Sequence, residues 1–407
     1  MRVAFLTEIF AKNMGYLENL LPKELARQGL DVHVIATNLP PYYQLEDCRQ
    51  LFSDLHGGNQ ESTVEQYNGF TLHILPHRRT LGHIRMVGLG AKLRELRPDI
   101  VQTTAAIGWL PLESAFYRLR LGYKLFTGSH NAASGFPLAG RAAPWWDGGR
   151  IRCTLTRAFP GRLISWETEK CYGVTQDCAE IAWRFFGVQR GKVEVMHLGV
   201  DTDYFYPVRG VAEEQQRAEI RTRLRLQEHD ILCIYTGKMT TAKNALLLAQ
   251  AVAQLRAAGA PYSALLIGEG PQRTAIEQQP HCSVLGFLPY QELAAYYRAA
   301  DIGVWPANES TSTLDAAACG LPVVISDLVA DSSHVEGNGL VFKVNDLEDL
   351  VATLLKLRTA AVRKELGNRG AEKMRRDYSM EAVAARRLHD YEQALSRPMA
   401  LATSDHA

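Results

Sequence analysis

Short, almost unbroken apolar runs alternate along the chain with longer stretches whose apolar residues recur at helical spacing. "RVAFLTEIF" is the first such run, the pattern of a parallel strand buried on both faces. "YLENLLPKELARQGL" follows with helical periodicity and stops at Gly29, and "DVHVIAT" resumes the strand pattern. Strand, helix and strand in this order predict a βαβ unit with a right-handed crossover. Next come "FTLHILPH" as a strand, "HIRMVGLGAKLRELRP" as a helix, and "DIVQTTAA" and "YKLFTGSH" as strands. "CYGVTQDCAEIAWRFFGV" reads as a strand running into a helix, and "VEVMHLGVD" closes the series.

The alternation then restarts. "RAEIRTRLRLQEHD" predicts a charged helix, "ILCIYTGKM" a strand, "AKNALLLAQAVAQLRAAG" a helix, and "SALLIGEG" and "CSVLGFLP" strands. "YQELAAYYRAA" is a helix, "DIGVWPA" a strand, "STLDAAACG" a short helix, and "PVVISD" and "GLVFKV" the last strands. The fold class expected is α/β, two Rossmann-like, doubly wound parallel-sheet domains facing a cleft. Their expected bounds are residues 1–205 and 206–378. The amphipathic segment 379–395 is expected to pack back on the first domain, and 396–407, without periodicity, to be a disordered tail.

A length of 407 residues suits two domains. A net charge of +1 gives no general reason to expect a nucleic-acid partner. No apolar run is long enough to span a bilayer, and "MRVAFLTEIF" lacks the separate apolar core of a signal peptide. The seven cysteines (48, 153, 171, 178, 233, 282 and 319) include no C-x-x-C pair. They read as reduced, mostly buried thiols of a cytoplasmic enzyme.

Ligands of open parallel sheets bind beyond the carboxyl ends of the strands. There, "YTGKMTTAKN" offers Gly237 for a tight turn and Lys238 and Lys243, either solvated loop lysines or partners for a diphosphate. Gly268 and Gly270 in "LIGEGP" lack the third glycine of a dinucleotide fingerprint, so NAD is disfavoured. Asp201 and Asp203 read as a turn with Asx-type bonds rather than a metal site, and no metal is expected. His130, after a strand, could bond a substrate hydroxyl, move a proton, or be structural. Trp145 and Trp146 stand beside several arginines, suiting an interfacial surface, a bulky anionic acceptor or a solvated helix face. Ser312 and Asp315 have capping-box spacing at the start of the Ala-rich helix.

The ordered series resembles glycosyltransferase family four, retaining nucleotide-sugar enzymes of GT-B fold. "GKMTTAK" resembles the family's Gly-Arg-x-x-x-x-Lys clamp, "LDAAACGLPVV" its Leu-Glu-Ala-Met-Ala-x-Gly-x-Pro-Val segment, and "LGVDTDYF" its Gly-Val-Asp phrase. "GSHN" resembles the segment whose histidine faces the donor sugar, and "NMGYLEN" with Gly15 a shortened phosphate loop. The family shows two glutamates with seven residues between them. Here Asp315 takes the second position and Glu309 is the nearest candidate for the first, with only five residues between them.

The resemblance implies a base near Phe287 and Leu288, ribose hydroxyls on Asp315, and a diphosphate on Lys238, Lys243 and helix-start amides near Thr313. Glu309 would grip the donor sugar, and the stretch Ser310, Thr311, Ser312, Thr313 and Leu314 would line the donor site. His130, Glu309 and Lys243 are the implied catalytic residues. No cofactor is implied beyond the nucleotide-diphosphate sugar as donor, with UDP favoured over GDP. The partner is a glycan, lipid-linked or small-molecule acceptor, with a cytoplasmic location that includes peripheral membrane contact. An epimerase of the same fold, or a catalytically silent nucleotide-sugar-binding protein, are the alternatives.

Overall fold

A computed structural model describes residues 1–40, 63–80, 83–140, 144 and 146–397. Cys48, Trp145 and the expected tail beyond 397 lie outside the described residues.

The first half builds an eight-stranded sheet. Its strands are β1 (Arg2–Leu6), β2 (Asp31–Thr37), β3 (Val64–Tyr67), β4 (Phe70–Leu75), β7 (Ile100–Thr103), β8 (Lys124–Ser129), β9 (Thr168–Gly173) and β10 (Val193–Val195). Their order is β10-β9-β8-β7-β1-β2-β4-β3, parallel except for the antiparallel edge pair β3–β4. The second half builds a six-stranded parallel sheet from β11 (Ile231–Thr236), β12 (Tyr262–Ile267), β13 (Cys282–Leu285), β14 (Ile302–Trp305), β15 (Val323–Ser326) and β16 (Gly339–Phe342). Its order, β13-β12-β11-β14-β15-β16, reverses direction between β11 and β14, and such a switch point opens a crevice for ligands. Every residue of β11, β12, β14 and β15 is buried, which accounts for their unbroken apolar pattern.

One element departs from the sequence reading. "HIRMVGLGAKLRELRP" does not form a single helix. His83–Met86 is strand β6, paired antiparallel with β5 (His77–Thr80). Ile84 and Met86 point inward while His83 and Arg85 face out, a period of two that the helical spacing further on obscures. Gly88, at φ +86°, separates this strand from the helix Leu89–Leu96. The helix Trp109–Leu121 also went unread, because its apolar residues run around most of its circumference.

The chain passes between the two halves twice, side by side. Val200 pairs in parallel with Ser379, its N–H donating to the Tyr378 carbonyl at 2.8 Å and its carbonyl accepting from Met380 N–H at 2.9 Å. Beyond this crossing, the helix Met380–Ser396 lies on the first half. Arg387 reaches Gln102 Oε1 at 3.1 Å and covers the Tyr172 ring. Asp390 accepts from Lys170 at 2.6 Å and from Tyr172 Oη at 2.7 Å. Asp390→Ala leaves Tyr172 Oη without its carboxylate and Lys170 with Glu194 alone, and should lower the unfolding free energy by about 2 kcal/mol. Urea denaturation checks this, and an unchanged midpoint would show that the helix is held by apolar packing alone.

Candidate functional site

Two loops at the switch point of the second sheet carry the residues of interest. The loop after β11 begins at Gly237, at φ +143°, and ends at Asn244, which precedes the helix Ala245–Ala257. Gly268, after β12, packs so close that a Cβ there would lie 2.0 Å from the Gly237 carbonyl oxygen. This explains the glycines of "LIGEGP" as a backbone close approach rather than a dinucleotide turn.

Lys243 Nζ donates to the Glu309 carbonyl at 2.6 Å, tying the β11 loop to the loop after β14. Burial holds the Lys243 ammonium below its usual range, with Glu309 opposing that shift and Lys238 adding to it. Lys243 and Glu309 are therefore brought together. The Lys238 carbonyl accepts from Tyr235 Oη at 2.8 Å, fixing the turn.

Glu309 also reaches across the cleft. Its Oε2 accepts from Ser134 Oγ of the first half at 2.5 Å, while its Oε1 is shut off from solvent without a hydrogen-bond partner. Buried carboxylate oxygens are costly to leave unpaired. Glu309 borders a cavity of about 200 Å³ between the halves, lined also by His130, Thr175, His197 and Asp331. Ser310, Thr311, Thr313 and Leu314 form part of its wall. His130 keeps an exposed edge but lies deep in the cleft, where poor hydration and the Arg387 charge push its imidazole down to about 4.

Three expectations need correction. Ser312 is not a helix cap: Thr311 already has helical dihedrals, so the seven-residue helix Ser312–Ala318 starts with Ser312 inside it. The amides of Thr313 and Leu314 are turned to carbonyls of their own loop. Leu314 N–H donates to the Thr311 carbonyl at 2.9 Å, and Thr313 N–H points to the Ser310 carbonyl at 3.4 Å. Asp315 does not face the cavity. It is buried, accepts from Tyr290 Oη at 2.9 Å, and is pushed up to about 8 by loss of solvent.

Tyr290 in turn occupies the space beside Gly15, where a Cβ would lie 2.1 Å from its ring, and its N–H donates to the Asn13 carbonyl at 3.1 Å. Gly15 thus meets the second half directly, and only a residue without a side chain fits. Phe287 and Leu288 are half-buried in the loop after β13, and neither lines the cavity. Asp203 N–H donates to Asp201 Oδ1 at 3.1 Å, an Asx turn, while the carboxylates pair with Lys23 and Arg27 at 2.6 Å each. Among the described residues no group of three His, Cys, Asp or Glu side chains converges as a metal site would. Ser134 and Tyr290 had no signal in the sequence, since their roles arise from contacts across the cleft.

A family model described as "Glycosyltransferase Family 4" matches residues 20–204, and one described as "Glycosyl transferases group 1" matches residues 230–359. The chain belongs to the family four, group 1 glycosyltransferases. The D-inositol 3-phosphate glycosyltransferase of Geodermatophilus obscurus is 29% identical over 240 residues, covering 53% of this chain and 50% of that protein. A GDP-mannose-dependent alpha-(1-6)-phosphatidylinositol dimannoside mannosyltransferase of Mycobacterium tuberculosis is 29% identical over 136 residues, 32% of this chain and 34% of its own length. The chain thus spans half or less of these relatives' length. Sucrose-phosphate synthase from Thermosynechococcus elongatus superposes with a TM-score of 0.69 at 18% identity, over 97% of this chain and 98% of that one. Anabaena HepE, solved in complex with UDP and glucose, gives 0.68 at 13% identity, over 97% and 100%. These two likenesses establish the GT-B fold.

Proposed function

We propose that this glycosyltransferase moves a hexosyl group from a nucleoside-diphosphate sugar to an acceptor hydroxyl with retention at the anomeric carbon. The observation that carries this reading is Glu309, which lines the cavity, held at its carbonyl by Lys243 and at Oε2 by Ser134 while its Oε1 atom is unpaired. Lys243 uses one of its three protons on the Glu309 carbonyl, and the others would meet a diphosphate together with Lys238. Their charge would stabilise the leaving diphosphate as the glycosidic bond breaks, the part a divalent ion plays elsewhere. Glu309 Oε1 would accept from a hydroxyl of the donor sugar.

The acceptor oxygen would bond to the anomeric carbon on the face the diphosphate leaves, and its proton would pass to the departing phosphate oxygen. His130, low in pKa and therefore neutral near pH 7, would serve as a hydrogen-bond partner to the sugar rather than as a base. Contact between the ribose and Asp315 would require Tyr290 to move off that carboxyl. UDP is the favoured nucleotide, supported by the UDP complex of HepE, while the GDP-mannose-dependent relative keeps GDP in view.

Thermal shift against UDP, GDP, ADP and their sugars tests the donor class, since bound nucleotide raises the melting temperature. Lys243→Ala should weaken nucleotide-diphosphate binding about tenfold or more. Turnover should persist in EDTA. Unchanged affinity in the variant would remove Lys243 from the donor site.

A further inference from the structure

The segment that the sequence flagged for its tryptophan and arginines has an outer surface the donor site does not use. Residues 148–167 form one continuous helical run, α-helical over Gly148–Cys153, π-helical over Thr154–Ala158 and α-helical over Phe159–Glu167. Its inner face is fixed. Gly161 packs where a Cβ would lie 1.8 Å from the Phe186 carbonyl oxygen, and Cys153 joins Phe136, Ile181 and Phe186 in a buried cluster.

The outer face carries Ile151, Leu155, Phe159 and Trp166, between 43% and 67% exposed. Their spacing of four, four and seven residues keeps them along one side of a helix. The neighbouring helix Trp109–Leu121, which packs against this run, adds exposed Phe116 and Leu119. Isolated exposed apolar residues are ordinary, but a contiguous stripe marks an interaction surface. The run 148–167 contains four arginines and one acidic residue, Glu167, which is taken up by Arg118, and Arg152 and Arg162 are exposed beside the stripe.

We propose that this face docks on an anionic lipid bilayer, its apolar side chains entering the headgroup boundary and its arginines meeting lipid phosphates. Charge selects this occupant. A second copy of the same face would set arginines against arginines. The surface also lies close to the cleft, because Phe136 of the buried cluster is two residues from Ser134, which holds Glu309. Docking there would bring the cleft beside a lipid surface.

Sedimentation of the full chain with vesicles tests the proposal. Binding to phosphatidylcholine vesicles containing phosphatidylglycerol should exceed binding to phosphatidylcholine alone by about tenfold, and should weaken as salt rises. Leu155→Gln with Phe159→Gln should reduce it about tenfold. Arg152→Gln with Arg162→Gln should remove the preference for anionic vesicles. All four positions are exposed, so the melting temperature and nucleotide-induced shift should stay at wild-type values, separating this result from any failure of the transfer reading. Absence of vesicle binding, or binding that neither pair of changes alters, overturns the proposal. So does a self-association abolished by the Leu155 and Phe159 changes, which would assign the face to a second copy.

Discussion

Glu309→Gln should lower kcat by about 100-fold or more while nucleotide-diphosphate affinity stays within about threefold of wild type. The substitution leaves the main chain alone, so the Lys243 bond to the Glu309 carbonyl at 2.6 Å survives. It replaces one carboxylate oxygen by an amide nitrogen, which donates where two acceptors stood. If the amide oxygen keeps the Ser134 bond, its nitrogen occupies the unpaired Oε1 position and cannot accept from the hydroxyl expected there. Loss therefore falls on the sugar end of the donor and on the charge that develops there. Kinetics with varied donor, beside nucleotide titration, separate the two effects. Lys356→Ala, on the helix Leu347–Lys356 away from this loop, is the control. A Gln variant as active as this control would mean that another residue holds the sugar.

The second large effect concerns Asp315 and pH. Its carboxyl is buried, bonded by Tyr290 Oη, and raised from an ordinary 3.8 to about 8 by desolvation. Between those values the folded chain keeps the proton and the unfolded chain gives it up. The folded state then binds more protons, so stability falls as pH rises, by about 1.4 kcal/mol per pH unit for one full proton. Below the unfolded value and above about 8 this contribution becomes flat. Asp315→Asn keeps an oxygen for Tyr290 and removes the titration. Urea denaturation at several pH values should show the variant gaining on wild type from pH 5 to pH 8, by a few kcal/mol. Parallel curves would show that Asp315 is already ionised in the fold.

The sheets were legible because buried parallel strands leave continuous apolar runs, and "ILCIYTG" and "DIGVWPA" needed nothing else. Their ends located the Lys243 and Glu309 loops for the same reason. What escaped was set by tertiary contact. Met86 and Ile84 alternate over four residues only, too few to outweigh the helical spacing that follows. Ser312 and Asp315 satisfy a capping pattern locally, yet Tyr290 claims the carboxyl from 25 residues away in sequence. Ser134 lies in a plain small-residue loop and matters only because Glu309 meets it across 175 positions.

The paired crossing at Val200 and Ser379 has a mechanical consequence. Two chain segments stitched side by side resist independent rotation, as a strap hinge does and a single pin does not. Relative movement of the halves is thereby biased toward a swing about one axis rather than a swivel. Such a swing would open and shut the gap between Ser134 and Glu309 while preserving which residue faces which.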